Sequence, residues 1–304
     1  MNKIYWKGRL VSPKRVRISP LNTSFLFGEA LFESLPVYGG KPLFFREHLE
    51  RLKRGCRFLS WPFISEVEFK KAIRLFSKGR KGDPDFLIRF NLVQELEGSG
   101  NPREFIKKTP TLFAIVRPLR HQLRKKNPIL GKVGISPWMA FDKQTLPNNF
   151  KIPYYMTTRW VFRKNPRWKE ILRLNQRGEV VDGGASTPMW FDGKTVHVPP
   201  LKMGGLESVT RKKIIQMIKR LGLPVVEKAW KPAELLKKQN PHFSKVGVGR
   251  RSAKASVNQE LFFVGSGVGV MAASHLMNRK IMGIPKVTEK LWSIYRHQAM
   301  KKSR

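Results

Sequence analysis

The sequence has almost no cysteine and no long uninterrupted apolar run. Its 304 residues include a single cysteine, Cys56, which excludes a framework of disulfide bonds and is typical of a reducing compartment. The longest weakly apolar stretch, LFFVGSGVGVMAASHLM, is interrupted by glycines and a histidine, so it does not predict a membrane span. The opening residues, MNKIYWKGRLVSP, contain no apolar run of signal-peptide length. We therefore expect a cytoplasmic protein that makes no membrane contact.

Acidic residues are also scarce. The 21 Asp and Glu stand against 60 Lys and Arg, which gives a formal net charge of +39. Such an excess attracts nucleic acid or an anionic membrane surface. However, the basic residues are spread along the whole chain, and no zinc-finger spacing, RNA-binding signature or basic-zipper heptad accompanies them. A basic bias on an ordinary surface is the alternative interpretation. We do not expect nucleic acid to be the main partner, and we expect no metal site.

What the chain does contain is ample material for a core. Forty-one percent of its residues are hydrophobic, including 20 Phe and 8 Trp, which excludes the disordered classes. Its length allows one large domain or, in better agreement with domain sizes, two. Strand-like and helix-like segments alternate without a regular βαβ order, and no glycine-rich phosphate loop of the P-loop or Rossmann type is present. The pattern favours a mixed α/β (α+β) fold over a doubly wound parallel sheet.

Apolar periodicity and turn residues predict the individual elements. In the first half we expect helices over 46–60 and 65–79, the second capped by Ser65, and strands over 3–11, 25–45, 85–93 and 109–119. Within 25–45, the pair Gly39-Gly40 predicts a hairpin. In the second half we expect helices from Ser208 and over 286–302, and strands over 132–139, 170–181, 187–193, 194–200 and 260–274. A polar, basic segment divides the halves. This predicts domains over 1–120 and 129–304 with a linker over 121–128, and an exposed basic insertion over 237–256.

One lysine differs from the others. Lys151, in LPNNFKIPYYM (146–156), lies among aromatic and aliphatic residues, a proline and two tyrosines, whereas most lysines occupy charge-dense segments. Apolar burial or nearby positive charge destabilises an ammonium group and leaves the amine able to attack a carbonyl. The alternative is an ordinary lysine whose ammonium reaches the surface past its aromatic neighbours. The neighbours alone leave both interpretations open.

The order of several segments carries a resemblance that spans nearly the whole chain. The segments are FLFGEALFESLPVYGGKPLFFREHLERL (25–52), LPNNFKIPYY (146–155), GEVVDGGAST (178–187), VPPLKMGGLESVTRKKII (198–215) and ELFFVGSGVGVMAAS (260–274). In this order the chain resembles the class IV (fold type IV) pyridoxal-phosphate enzymes. That family contains branched-chain aminotransferases, D-amino-acid aminotransferases and 4-amino-4-deoxychorismate lyases. The resemblance implies a smaller N-terminal α/β domain, a larger C-terminal β-barrel-like domain and a homodimer.

The resemblance also implies a role for particular residues. Lys151 would form a Schiff base with the aldehyde of pyridoxal 5'-phosphate and then carry a proton. Asp182 would pair with the pyridine nitrogen, at the place of the family's usual glutamate, and Tyr155 would bind the phenolic oxygen of the ring. The implied phosphate ligands are Arg51, Ser208, Val209, Thr210 and Ser266. The implied substrate contacts are Tyr38, Arg89 and Gly267.

Part of this agrees with physical chemistry, and each residue also has a purely structural interpretation. A helix that starts at Ser208 offers free N–H groups and hydroxyls to an anion, and a guanidinium suits phosphate. Conversely, Ser208 to Thr210 are also typical of a helix cap, and Asp182 is typical of a turn. Arg51 and Arg89 are equally compatible with a purely structural role. The exchange of glutamate for aspartate shortens the side chain at 182 by one methylene.

Three functions remain open on this basis. The first is an aminotransferase, which passes an amino group between an amino acid and a 2-oxo acid. The second is a 4-amino-4-deoxychorismate lyase, which releases 4-aminobenzoate and pyruvate after the same first proton abstraction. The third is a non-catalytic relative whose basic surface binds nucleic acid or another polyanion. FGEALFESLPVYGG (27–40) is compatible with either enzyme, so the identity and stereochemistry of the substrate do not follow from the sequence.

Overall fold

The structure is a computed structural model that describes residues 3–79, 85–94, 101, 103, 109–119, 128–237, 259–281 and 285–301. Most of the expected linker and of the basic insertion 237–256 therefore lies outside the described residues, and both stay predictions. Across the described ranges, no helix combines the length and the apolar character that crossing a membrane requires.

The chain divides into two compact units. The first consists of Met1–His121, Asn149–Tyr155 and Gln298–Arg304, and the second of Gln122–Asn148 and Met156–His297. The segment that contains Lys151 thus belongs to the first unit, although the chain on both sides of it belongs to the second. No pattern in the sequence predicts that the segment Asn149–Tyr155 belongs to the first unit.

The first unit is built on a six-stranded antiparallel sheet with the order β2-β1-β6-β5-β3-β4. Its strands are β1 (Ile4–Trp6), β2 (Arg9–Val11), β3 (Ala30–Tyr38), β4 (Lys41–Pro42), β5 (Phe86–Val93) and β6 (Thr111–Pro118). Gly39 and Gly40 join β3 to β4 with φ of 53° and 81°. Left-handed values at both positions are those of a tight hairpin turn, so the predicted hairpin is confirmed.

Two amphipathic helices cover this sheet. Helices α2 (Phe45–Phe58) and α3 (Glu66–Lys78) confirm the predicted pair, and the Ser65 hydroxyl accepts the N–H of Val67 at 3.4 Å. Their apolar faces meet the sheet in one core, which includes Leu49, Leu52, Cys56, Phe69, Ile73, Phe76, Leu31, Leu35, Phe86, Ile88 and Phe90. Each fully buried large side chain of this kind stabilises the fold by roughly 1.5–3 kcal/mol.

The strand predicted over 25–45 begins later than expected. Thr23–Leu26 form a short helix, α1, because the Asn22 carboxamide oxygen accepts the N–H of Phe25 at 3.2 Å and caps it. Strand β3 therefore starts at Ala30. The apolar residues before it, Phe25 and Phe27, are exposed.

The second unit contains a nine-stranded mixed sheet. Eight strands follow the order β12-β11-β10-β13-β14-β7-β8-β9, and β15 pairs with β14. The strands are β7 (Ile129–Ile135), β8 (Glu170–Leu174), β9 (Val180–Gly183), β10 (Thr187–Phe191), β11 (Val196–Val198), β12 (Val225–Glu227), β13 (Glu260–Gly265), β14 (Gly269–Leu276) and β15 (Arg279–Lys280). The mixed α/β class predicted from the sequence is confirmed.

Within the described residues, four helices accompany this sheet: α4 (Met156–Lys164), α5 (Val209–Arg220), α6 (Pro232–Lys237) and α7 (Lys286–Lys301). The predicted helices that begin near 208 and 286 are confirmed. Helix α4, which follows the Lys151 segment at once, was missed because threonine, valine and aromatic residues give MTTRWVFRK a weak helix propensity. The strand predicted over 170–181 is divided into β8 and β9 by a turn in which Gly178 has φ of 72°.

Candidate functional site

In the first unit, Lys151 and two other predicted site residues gather on one aromatic ring. The Lys151 Nζ lies 4.5 Å from the centroid of the buried Phe32 ring, and the Arg89 guanidinium lies 3.7 Å from it. The Tyr155 ring meets the same ring edge-on at 5.8 Å. The structure therefore brings together three predicted site residues, from β5 and from the 149–155 segment, around a phenylalanine that the sequence did not single out.

The backbone of the Lys151 segment is tied to the first unit independently of the lysine side chain. The Phe32 N–H donates to the Lys151 carbonyl at 3.0 Å, and the Arg54 Nε donates to the Asn149 carbonyl at 3.0 Å. Phe150 is buried against α2. A Cβ at Gly55 would lie 2.7 Å from the Leu31 side chain and 3.2 Å from the Phe150 Cβ, so only glycine lets the segment approach this closely.

Arg51 belongs to a buried cluster in the same unit. Its Nε donates to the Glu33 Oε1 at 2.6 Å and its Nη2 donates to the Glu33 Oε2 at 2.8 Å, and the His48 Nδ1 contacts Oε2 at 2.8 Å. Burial alone would raise the pKa of the Glu33 carboxyl, but Arg51 and His48 outweigh it, so that pKa lies well below its usual range. Burial lowers the pKa of His48 despite the attraction of Glu33. Glu33 is therefore ionised and His48 neutral at pH 7.

Two residues of the first unit fit their predicted roles unequally. Arg89 donates from Nε to the Asn91 Oδ1 at 2.8 Å, and burial lowers its pKa, which leaves the guanidinium stacked on Phe32. Tyr38 is the last residue of β3, six positions beyond Phe32. A strand advances about 3.3 Å per residue, which separates the two by about 20 Å. Tyr38 therefore lies apart from the lysine along β3, and its role as a substrate contact stays a prediction.

In the second unit, Asp182 is held by two backbone donors. Its Oδ1 accepts the N–H of Gly183 and its Oδ2 accepts the N–H of Leu206, both at 2.9 Å. Burial raises the pKa of this carboxyl, while the two N–H groups, Arg173 and Arg211 oppose the shift. The second bond links β9 to the loop that leads into α5. Asp182 is thus fixed in orientation rather than being a mobile turn residue.

That loop is fixed from a second direction by Asn148, which the sequence analysis missed. Its Nδ2 donates to the carbonyls of Leu201 and Gly205 at 2.7 and 2.8 Å, and its carbonyl accepts the N–H of Glu207 at 2.8 Å. A Cβ at Gly205 would lie 2.6 Å from the Val181 carbonyl oxygen, so glycine is required there. An asparagine that satisfies loop carbonyls has no periodic signature in a sequence.

The loop delivers the chain to the start of α5, where the predicted phosphate ligands lie. Ser208 is the N-cap, and its hydroxyl accepts the N–H of Arg211 at 3.2 Å. Thr210 is buried, and its Oγ1 lies 3.3 Å from the Oγ of Ser266, in the turn between β13 and β14 that also contains Gly267. Val209 is the first helical residue. Hydroxyls from two elements thus converge on a helix N-terminus, an arrangement that suits an anion.

A buried carboxyl that the sequence analysis did not name supports the turn between β9 and β10, which follows Asp182. The Glu170 Oε1 accepts the N–H groups of Ile171 at 3.0 Å and Gly184 at 2.9 Å, and Oε2 accepts the Ser186 hydroxyl. Burial raises the pKa of Glu170 to about 7, although these three donors lower it. Glu170 thereby holds the 183–186 segment against β8.

This buried acid predicts a pH dependence of stability. The unfolded pKa of a glutamate is about 4.3, and the folded value is about 7, so the folded state binds the proton more tightly. The unfolding free energy should therefore fall by about 3–4 kcal/mol as pH rises through this interval. Glu170→Gln removes the titrating group and preserves the acceptor for both N–H groups, so the variant should lose this part of the slope. Urea unfolding of both proteins at several pH values between about 4 and 8 measures it, and identical slopes would contradict the assignment.

The comparisons with known proteins agree with this geometry. A sequence profile of the family described as "Amino-transferase class IV" matches residues 30–276. Aminodeoxychorismate lyase from Bacillus subtilis is 28% identical over 230 residues, which cover 72% of this chain and 75% of that protein. The structure of a branched-chain aminotransferase from Thermoproteus uzoniensis matches 99% of this chain and 95% of its own, with a TM-score of 0.79 and 21% identity.

A branched-chain aminotransferase structure from Thermobaculum terrenum, described as the PLP-form, matches 99% of this chain and 94% of its own with a TM-score of 0.77 and 18% identity. These structural matches show a shared fold. The profile match covers far more than half of the 304 residues. The chain therefore belongs to the class IV aminotransferase family.

Proposed function

We propose that this protein is a pyridoxal-phosphate-dependent aminotransferase that transfers an amino group between an amino acid and a 2-oxo acid. The observation that carries the proposal is the arrangement in the second unit. There the fixed Asp182 carboxylate is bonded to Leu206, two residues before the N-cap of α5, where hydroxyls of Thr210 and Ser266 meet. A ligand that carries both a cationic ring and a phosphate requires a carboxylate for the ring and an anion-binding helix N-terminus for the phosphate. In this unit one short loop joins the two groups.

The donor set of the chain fits this cofactor, which supplies an electron sink for a carbanion when it is bound. Asp182 would accept a hydrogen bond from the protonated ring nitrogen, whose positive charge favours the ionised aspartate. The N-terminus of α5, with Ser208, Val209 and Thr210, would bind the phosphate together with Ser266. The half-buried position of Asp182 leaves part of the residue accessible to a ligand.

Residues of the first unit would provide the reactive and orienting groups. The Lys151 amine would attach the cofactor aldehyde and afterwards carry the proton that leaves the substrate Cα, as a general base of this kind does. Tyr155 would hydrogen-bond the phenolic oxygen of the ring, and Arg51 would bind the phosphate. Arg89 is proposed to bind the substrate carboxylate, and Gly267 to lie beside it.

A second candidate is the lyase that cleaves 4-amino-4-deoxychorismate to 4-aminobenzoate and pyruvate. The observation that favours it is the 28% identity with the Bacillus subtilis aminodeoxychorismate lyase over nearly three quarters of the chain. Both reactions start with the same proton abstraction by the lysine. They differ in whether the proton returns to the cofactor carbon or the substrate loses its β-substituent.

A half-reaction screen tests the two candidates. Purified protein with pyridoxal phosphate is mixed separately with L-leucine, L-glutamate, D-alanine and 4-amino-4-deoxychorismate. An aminotransferase loses the near-visible band of the bound cofactor with one of the amino acids and regains it with a 2-oxo acid. A lyase instead releases pyruvate from the fourth compound without a 2-oxo acid. Failure to bind the cofactor at all would favour the non-catalytic, polyanion-binding alternative.

We also propose that the protein is a cytoplasmic homodimer. Exposed apolar side chains in residues 18–27, namely Ile18, Leu21, Phe25, Leu26 and Phe27, support an association surface, since few such residues cluster on monomers. Light scattering at micromolar concentration should therefore give twice the 35.2 kDa mass of one chain. A mass of one chain would refute the dimer.

A further inference from the structure

The cluster of Glu33, His48 and Arg51 is energetically unfavourable in a core, because charged groups lose their hydration there. All three side chains are almost completely buried, and Glu33 lies in the middle of β3, where Leu31 and Leu35 belong to the hydrophobic core. Replacement of a buried ion pair by apolar residues of similar volume is often neutral or stabilising. Core stability alone therefore gives no reason for a carboxylate at this position.

The geometry gives a reason. His48 and Arg51 are three residues apart on α2, so both face the same strand position, and each carboxylate oxygen of Glu33 has a partner there. Because Nε and Nη2 both bond to Glu33, the plane of the Arg51 guanidinium cannot rotate about its last side-chain bond. In a planar group with five N–H donors, this fixes the direction of the opposite edge as well. His48 in turn fixes the carboxylate through Oε2.

We propose that Glu33 is a positioning residue, which with His48 orients the Arg51 guanidinium for the cofactor phosphate. The inference rests on the proposed function, because it takes Arg51 as a phosphate ligand. Glu33 does not touch the phosphate in this arrangement. It raises phosphate affinity by removing the rotational freedom that the arginine would otherwise lose on binding.

The test separates phosphate recognition from general damage by using two ligands. Pyridoxal phosphate and pyridoxal share the ring and aldehyde, but only the first has a phosphate. Dissociation constants for both are measured by absorbance titration on the wild type, Glu33→Gln and Glu33→Asp. Loss of the orienting carboxylate in Glu33→Gln should weaken pyridoxal phosphate binding by about tenfold or more, a typical cost of losing an orienting partner. Binding of pyridoxal should be unchanged, and Glu33→Asp should show a smaller loss in the same direction.

Glu260→Gln is the matched control. Glu260 is another buried glutamate, which accepts the N–H groups of Val287 and Thr288 at 2.9 and 2.8 Å in the second unit. Its replacement should lower the melting temperature and leave the ratio of the two dissociation constants at the wild-type value.

The outcomes keep the two proposals apart. A wild type that binds neither ligand refutes the proposed function. A wild type that favours pyridoxal phosphate, together with a Glu33→Gln variant of unchanged ratio, overturns only the role of Glu33. Glu33→Asp keeps the counterion of the buried guanidinium. If Glu33→Gln does not fold, the ratio in Glu33→Asp decides: an increase supports the proposal and a wild-type ratio overturns it.

Discussion

Replacement of Lys151 by alanine is expected to abolish turnover and the near-visible absorption band of the lysine-bound cofactor. Both proposed roles, attachment of the aldehyde and transfer of the substrate proton, depend on the Lys151 amine. Alanine has no such group. Removal of such a nucleophile and base typically costs about 10⁴-fold or more in rate. Lys151→Arg should be equally inactive, because a guanidinium keeps its proton at neutral pH and is no nucleophile. Absorbance spectra and a coupled transaminase assay measure both effects.

The fold should survive this change, which makes the loss interpretable. The Lys151 carbonyl keeps its bond to the Phe32 N–H whatever the side chain is. The variant loses the cation–π contact with the Phe32 ring, worth about 0.5–1 kcal/mol. Lys53→Ala is a suitable control, since the Lys53 Nζ lies 5.3 Å from the Phe63 ring centroid in the same unit. The control should retain band and turnover. Activity in Lys151→Ala would refute the central assignment.

Local patterns in the sequence were sufficient for most of the fold. The spacing of Leu49, Leu52 and Cys56 placed α2, and Ser65 and Ser208 marked the starts of α3 and α5. These features depend on residues close together in the chain, which is the information that periodicity and capping contain. The short helix α1 and helix α4 were missed because their residues favour strands, and a cap or a neighbouring element outweighs that preference.

Residues of the candidate site could be predicted only where they lie in a short sequence motif. Lys151, Asp182 and the Ser208 to Thr210 segment were predicted because each lies in a motif that resembles the family. Phe32 was not found, because an aromatic residue in a buried strand is ordinary until Lys151, from a distant segment, packs on its ring. Glu33 was not found as a partner of Arg51 for the same reason: eighteen positions separate the two residues, and only the packing of α2 on β3 joins them.

Arg51→Met is expected to lower the unfolding free energy by about 3–5 kcal/mol, because it leaves the Glu33 carboxylate buried without its counterion. The double variant Glu33→Leu/Arg51→Met has no buried charge at either position, so its loss should be smaller than the sum of the single losses. A coupling energy of about 2–3 kcal/mol is expected from such a cycle. The replacement of Glu33 also removes the hydrogen-bond partner of His48, and this loss reduces the coupling energy. Urea unfolding of the four proteins measures it.

The pH dependence gives the cycle a second readout. The pKa of Glu33 is lowered in the folded state, so its contribution to stability is fully present above the unfolded pKa of about 4.3 and is lost as pH falls below it. Wild type should therefore lose stability in acid more steeply than Arg51→Met, in which the cause of that shift is absent. A loss below about 1 kcal/mol at pH 7, or the same acid slope in both proteins, would mean that solvent already screens the pair. The ion pair would then contribute little to stability, and the orienting role of Glu33 would be decided by the ratio of pyridoxal phosphate to pyridoxal binding alone.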